Sequence, residues 1–330
     1  MAGAVTMSDV LAARRRIGPH IHRTALTVSA ALSARCGQTV LLKNEQQQLT
    51  GSFKLRGASN AVLSLAEDER RRGVAAASTG NHGRALAHAA KAAGARAVIC
   101  MSRLVPGNKV EAIEALGAEI RIVGRSQDDA QVEVDRLVAE EGLVEVPPFD
   151  KAEVIAGQGT LGLEILEDAP ELDAVLVPLS GGGLIAGVAL AIKTLSPETR
   201  VIGVCMERGA AMAACLAAGK PVAVEEMETL ADSLGGGIGL DNRHTFAMVR
   251  ELVDETVLLT EREIAEGIIH AYGQEREVVE GAAAVGIGAV LAGRFVPKGP
   301  TAMVLSGKNI DMGVHGRIVA GTHEVFGEVA

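Results

Sequence analysis

The sequence predicts an α/β protein with parallel sheets flanked by helices, and three observations carry that prediction. Short β-branched runs alternate with Ala-rich helical stretches along the chain. Two of those stretches stop at a Gly and pass straight into the next apolar run. Glycine-rich turns also stand between a strand and the helix that follows it. Buried parallel strands joined by right-handed helical crossovers produce this pattern.

In chain order, strand 74–77 precedes a helix over 84–93, strand 97–101 one over 109–116, and strand 120–123 one over 128–140. The segments AAGARAVICM and ALGAEIRIV repeat the order helix, Gly stop, strand, and mark two successive units of one half of the molecule. The pair Pro147 and Pro148 then punctuates the chain. No helix runs through such a pair, so a domain boundary belongs there. Strand 174–179 leads to a helix over 184–195, strand 201–206 to one over 210–218, and a last apolar strand covers 302–305.

Composition narrows the function classes. A chain of 330 residues with 48% hydrophobic and 22% charged residues is globular, has room for two domains, and buries a large core without staples. Cys36, Cys100, Cys205 and Cys215 form no C-x-x-C pair, which fits a reducing compartment. The formal net charge is −9. The basic clusters Arg14 to Arg16 and Arg70 to Arg72 read as solvated helix faces, so nucleic-acid binding is not expected. Lys, Arg and Gly interrupt every apolar stretch before it could span a bilayer, and no signal peptide is apparent. The expectation is a cytoplasmic protein without a membrane partner.

Four segments carry candidate chemistry. In Thr50-Gly51-Ser52-Phe53-Lys54-Leu55-Arg56-Gly57-Ala58, a lysine sits between Phe and Leu just before an Ala-rich helix. Burial would lower its pKa and make it a nucleophile and base; an ordinary surface lysine at a helix start is the plainer reading. In Ser78-Thr79-Gly80-Asn81-His82-Gly83, hydroxyl, amide and backbone donors cluster where a strand passes into a helix. That is an anion site suited to a carboxylate, although a cap alone would use one such residue. Ser180-Gly181-Gly182-Gly183-Leu184 is again strand, glycine turn and helix, and it suits a phosphate. Ser306 follows the last strand, at the end of an α/β sheet where ligands bind. The run Gly235 to Gly237 lacks a convincing preceding strand and reads as a mobile or substrate-facing loop.

Taken in order, the four segments resemble the fold-type II (tryptophan synthase β-like) pyridoxal-phosphate family that holds threonine and serine dehydratases and serine racemase. The resemblance runs from about Val10 to Val319. The wording LTGSFKLRGA, STGNHGRA, VPPFD, AGQGT, MERGAA and LADSLGGGIGLDNR is similar to the hydroxyectoine-utilisation dehydratases within it. The resemblance implies two domains, 1–72 with 150–330 forming the large one and 73–149 inserted as the small one, with pyridoxal 5'-phosphate in the cleft between them. It implies that Lys54 holds the cofactor covalently and, once displaced, transfers the substrate proton. Phe53 would pack near the cofactor and Asn81 would bond its 3'-oxygen. Ser180, Gly181, Gly182, Gly183 and Leu184 would bind its phosphate, and Ser306 would face the pyridine nitrogen. A neutral Ser there makes the ring a weaker electron sink than an Asp would. Ser78, Thr79, Gly80, Asn81 and His82 would take the substrate carboxylate, and Thr79 stands where racemases place a second proton-transferring hydroxyl.

The implied reaction is loss of water, then ammonia, from a small β-hydroxy-α-amino acid, by a carbon–nitrogen lyase of amino-acid metabolism that commonly works as a homodimer. Three departures bear on the substrate and on metals. Cys205 and Ala211 stand where serine racemase and some relatives carry acidic metal ligands, so no metal site is expected. LADSLGGGIG replaces the pattern usual in biosynthetic threonine dehydratases, and Lys308 stands where many relatives have a small residue. Two other readings stay open. One is an amino-acid racemase on the same fold. The other is an NAD(P)-dependent oxidoreductase, in which the glycine turn and Glu207 imitate a dinucleotide-binding unit.

Overall fold

The computed structural model describes residues 4–322 except Thr79 and Pro106. Among the described residues, ten strands form two sheets: β1 (Leu26–Val28), β2 (Val40–Lys43), β3 (Val74–Ala77), β4 (Ala97–Met101), β5 (Glu119–Ile122), β6 (Val144–Glu145), β7 (Ala174–Pro178), β8 (Arg200–Met206), β9 (Glu255–Leu259) and β10 (Thr301–Val304). A six-stranded sheet has the order β1-β2-β10-β7-β8-β9, and a four-stranded sheet the order β5-β4-β3-β6. Every pairing is parallel except that of the edge strand β1 with β2. All residues of β3, β4, β7 and β10 are buried, as strands covered by helices on both faces must be.

The expected strands at 74–77 and 97–101 stand as read, and the others move by a residue at one end or both. Strands β1, β2, β6 and β9 lay outside the sequence reading. Of the two arginine clusters, Arg70 to Arg72 ends a short charged helix (Glu67–Arg72) with no buried residue. Arg16 departs from the solvated reading: its Nη1 donates to Asn60 Oδ1 at 2.5 Å and ties the N-terminal helix (Met7–Ile17) to the helix Lys54–Leu63.

Helix Ala152–Asp168 joins the two halves of the site. It buries a run from Val154 to Leu166, and it packs between Lys54–Leu63 on one side and Gly183–Leu195 on the other. Glycines make both crossings close. A Cβ on Gly157 would lie 2.6 Å from the Arg56 carbonyl oxygen, and one on Gly187 would lie 2.4 Å from that of Ile155. Backbone against backbone leaves no room for even a methyl group, so the helix bearing Lys54 and the helix opening at Gly183 share a fixed spacing. Gly157 and Gly159, whose Cβ would lie 3.0 Å from the Gly187 carbonyl oxygen, explain the AGQGT segment. The small-sheet core draws Leu55, Ala58, Ala61 and Val62 of the lysine helix into contact with Val74, Ala76, Leu86 and Ile99. Phe53, just before that helix, packs on the core of the large sheet.

Candidate active site

Lys54 is the first residue of its helix. A helix N-terminus disfavours a cation, and a half-buried position adds desolvation. Its Nζ donates to the Pro148 carbonyl at 2.7 Å and lies 5.3 Å from the Phe53 ring centre. Burial brings the ammonium down to about 8 against the opposing pull of the Glu280 carboxylate. The expectation of a desolvated lysine therefore holds over that of a surface one.

The helix behind Lys54 is anchored by charge. Arg56 is wholly buried, and its guanidinium donates to both oxygens of Glu45 (2.8 and 2.7 Å) and both oxygens of Glu164 (2.7 and 2.8 Å). Lys43, also wholly buried, donates to Glu164 Oε2 at 2.7 Å. Two cations and two carboxylates balance there, and the forked geometry of Arg fits both partners. Sequence reasoning missed this cluster, because its members come from three stretches of chain, Lys43 with Glu45, Arg56, and the distant Glu164.

Opposite the lysine, β3 ends at Ala77 and the helix Asn81–Ala92 begins. Ser78 Oγ accepts the Gly83 N–H at 3.0 Å, so Ser78 does act as a cap. Its hydroxyl hydrogen remains available to a ligand. Asn81 is oriented from both ends: Nδ2 donates to Glu280 Oε1 at 2.7 Å, and Oδ1 accepts from Asn309 Nδ2 at 2.5 Å. His82 Nε2 lies 2.7 Å from the Val146 carbonyl oxygen. A carbonyl only accepts, so Nε2 carries the proton and Nδ1 is left as an acceptor. Burial, helped by the charge of Lys54, pushes His82 down to about 3, so the ring is neutral at ordinary pH. Thr79 lies outside the described residues.

The glycine turn after β7 closes the third side. Gly182 has φ +91°, a conformation that favours glycine, and a Cβ on Gly181 would lie 2.4 Å from the Phe149 ring. The first-turn amides of the helix Gly183–Leu195 have no partner inside it and face an anion site at its positive end. Phe149 is itself set by its neighbour: the Asp150 carboxylate accepts the N–H groups of Arg243, His244 and Thr245 at 2.6, 2.9 and 2.9 Å. Ser306, 2% exposed, follows β10, and its carbonyl accepts the Phe53 N–H at 3.0 Å.

One cavity of about 590 Å³ is lined by Phe53, Lys54, Ser78, Gly80, Asn81, His82, Ser180, Gly181, Gly182, Gly183, Leu184 and Ser306. Every described candidate residue from the sequence thus lines a single space. Gly235, Gly236 and Gly237 line it too, which answers to the substrate-facing alternative for that loop. Among the lining residues to which sequence reasoning gave no role are Gln127, Asp128, Phe149, Glu226, Asp232 and Glu280. Lys308 is exposed and lies off this lining, as does Glu207, the acid the dinucleotide reading needs. Among the described residues, no group of three or more His, Cys, Asp or Glu side chains could hold a metal ion. No helix there is long and apolar enough to cross a membrane.

A buried lysine with a lowered pKa, an anion cradle at a helix N-terminus and a second donor loop across the cleft define a site for a phosphorylated carbonyl cofactor. The pyridoxal-phosphate dependent enzyme family matches residues 17–307. A protein of Sinorhizobium fredii, provisionally named a threonine dehydratase, is 59% identical over 318 residues, 96% of each chain. The L-threonine ammonia-lyase of Thermotoga maritima is 44% identical across 96% of this chain and 78% of its own. Among solved structures, maize serine racemase superposes with a TM-score of 0.91 at 34% identity, covering 97% of this chain and 98% of its own. The processed threonine deaminase isoform 2 of Solanum lycopersicum gives 0.89 at 34% identity, covering 96% and 88%. The chain belongs to the pyridoxal-phosphate dependent enzyme family, in its fold-type II architecture.

The residues present fit that cofactor. The Gly181 position, where a methyl group would strike Phe149, keeps the cradle backbone open to a phosphate, and the cavity is large enough for the cofactor and a small amino acid. The dinucleotide reading gives way to this assignment, since its glycine turn serves the cavity that Lys54 enters.

Proposed function

We propose that the protein is a pyridoxal-phosphate-dependent dehydratase that releases water, then ammonia, from a small β-hydroxy-α-amino acid. The observation that carries this reading is the Lys54 amine, its pKa lowered to about 8, in a cavity also lined by the N-terminal turns of two helices. The dehydratases and ammonia-lyases among its relatives support it.

Lys54 holds the cofactor covalently and is the base once displaced, and Phe53 packs beside it. Amides of Ser180, Gly181, Gly182, Gly183 and Leu184 take the phosphate, Ser306 the ring nitrogen, and Asn81 the ring oxygen. Ser78, Thr79, Gly80, Asn81 and His82 take the substrate carboxylate, His82 through its backbone N–H, since its ring hydrogen is held by the Val146 carbonyl. Pyridoxal phosphate, when bound, supplies the electron sink that makes the α-proton of an amino acid acidic. The Lys54 amine then removes that proton, the β-hydroxyl leaves as water, and the released enamine loses ammonia by hydrolysis. His82, pushed down to about 3, is too weak a base to keep a substrate proton, which leaves Lys54 as the base.

The lining supports a neutral or cationic substituent on the β-carbon. Asp128, Glu226, Asp232 and Glu280 line the cavity, and among the described residues no arginine does. L-Threonine, L-serine and a hydroxylated diaminobutyrate from hydroxyectoine breakdown fit that field, whereas 3-hydroxyaspartate would meet repulsion. The last fitting candidate agrees with the hydroxyectoine-utilisation wording of the sequence. Racemisation is the second reading, supported by the maize serine racemase superposition; it turns on Thr79.

The working form is a homodimer with the small domain 73–149 inserted between 1–72 and 150–330. Exposed Val28, Ile269, Tyr272 and Met312 support an interface. They are drawn together by the Ser29–Glu275 bond and by the edge contact of Tyr272 with His315. Four free cysteines support a cytoplasmic location.

The test is keto-acid and ammonia release across the four candidate substrates, with Lys54→Ala as control and the product enantiomers read alongside. Turnover that vanishes in the variant supports the dehydratase. Racemisation without keto acid overturns it.

A further inference from the structure

The sequence motifs assign no task to Glu280, yet it is the buried carboxylate of the cavity. It is 3% exposed and stands at the N-cap of the wholly apolar helix Gly281–Leu291. That position ordinarily takes a short side chain that bonds the helix's own amides. Here the side chain makes no capping bond and instead accepts from Asn81 Nδ2 at 2.7 Å. The backbone holds it in place, since its N–H donates to the Gly307 carbonyl at 3.1 Å. Gly307 leaves room for the carboxylate: a Cβ there would lie 2.6 Å from Glu280 Oε1 and would displace it.

We propose that Glu280 is a positioning residue that couples the two sides of the site, orienting the Asn81 amide by a hydrogen bond and setting the charge of the Lys54 amine through space. The proposal rests on Lys54 and Asn81 serving the cofactor as described above. An amide nitrogen carries two hydrogens. Glu280 takes one, and with Asn309 on the oxygen the group cannot flip, so the second hydrogen stays committed to the cavity. The same carboxylate lines the cavity that Lys54 lines and offsets the desolvation of that amine. Arg84 is the cationic side chain of the helix Asn81–Ala92 whose field meets Glu280, and the neutral His82 ring on the same helix feels the charge of Lys54. Asp128, Glu226 and Asp232 add negative field from the cavity wall.

The experiment follows capture of pyridoxal phosphate by cofactor-free protein across pH, by absorbance, which needs no substrate. Glu280→Gln keeps an acceptor for Asn81 and removes the charge, so the midpoint for capture falls by about one pH unit. Asn81→Ala leaves that midpoint in place and weakens cofactor retention at least tenfold. Glu280→Asp keeps the charge and withdraws the acceptor, so it follows Asn81→Ala; should Glu280→Gln fail to fold, a midpoint displaced in Glu280→Asp as far as a lost charge would take it overturns the proposal. An unchanged midpoint in folded Glu280→Gln overturns the coupling while leaving the dehydratase reading intact. Wild-type protein that captures no cofactor through Lys54 brings down the dehydratase reading first, and the coupling with it.

Discussion

Lys54 and Arg56 are two residues apart on one helix and meet opposite electrostatic fates. Lys54 faces the cavity with a backbone carbonyl as its hydrogen-bond acceptor, and burial drags its pKa down to about 8. Arg56 faces the protein interior with two carboxylates gripping it, and they hold its charge more firmly than water would. Burial penalises both cations, so burial does not separate them; pairing does. One turn of helix thus carries a cation held firmly charged for structure and one whose proton is loosened for chemistry.

The largest effect that could break this contrast is expected at Arg56. Arg56→Met removes the cation between Glu45 and Glu164, and the carboxylates left buried should cost about 3–5 kcal/mol, read from urea unfolding of the cofactor-free protein. A cost under about 1 kcal/mol would mean that water reaches the cluster and that the two cations differ less than the geometry implies.

Lys54→Met should act in the opposite direction. The ordinary lysine pKa of 10.5 falls to about 8 on folding, so below pH 8 the folded chain holds a charge its surroundings disfavour. Between pH 8 and 10.5 it gives up that proton before the unfolded chain does, and wild-type stability climbs with pH. The substitution should therefore stabilise cofactor-free protein by up to about 3 kcal/mol at pH 7, with the gain fading toward pH 10.5. A gain that grows with pH would reverse the sign.

Gly181→Ala sharpens the comparison by changing shape without charge. Its methyl group would press on Phe149 and should cost about 1–3 kcal/mol, with at least a tenfold loss of cofactor affinity by titration. The smallest effect is expected from Arg71→Ala. Its ion pair with Glu67 stands in solvent, so its removal should change the unfolding free energy by less than about 0.5 kcal/mol.

Much of the site was legible because its parts are local. A glycine turn between a strand and a helix announces an anion cradle, and SFKLRG announces a lysine at a helix start. Glu280 and the Arg56 cluster were not legible in the same way. Lys43, Glu45, Arg56 and Glu164 come together only once the helix Ala152–Asp168 lies across Lys54–Leu63. Glu280 did leave one signal: a long acidic side chain where an apolar helix begins, at a position that favours Ser, Thr, Asp or Asn. Strand β9 escaped notice for a different reason. Its residues are partly exposed, so it lacks the continuous apolar run that marked β7 and β10.

Strand β10 pairs with β2 on one side, Thr301 against Val40, and with β7 on the other, Thr301 against Ala174. The middle of the large sheet is therefore contributed by residues made some 260 positions after its neighbour β2, by roughly the same reach that separates Ser306 from Phe53. Closing so long a loop before its contacts reward it slows folding. During synthesis the four-stranded sheet can assemble early, from residues 74–145. The large sheet keeps a gap at its centre until β10 emerges, with the edges of β2 and β7 open to wrong partners. A chaperone that shields a nascent chain would find its task in that interval, and catalytic competence would arrive in a single late step.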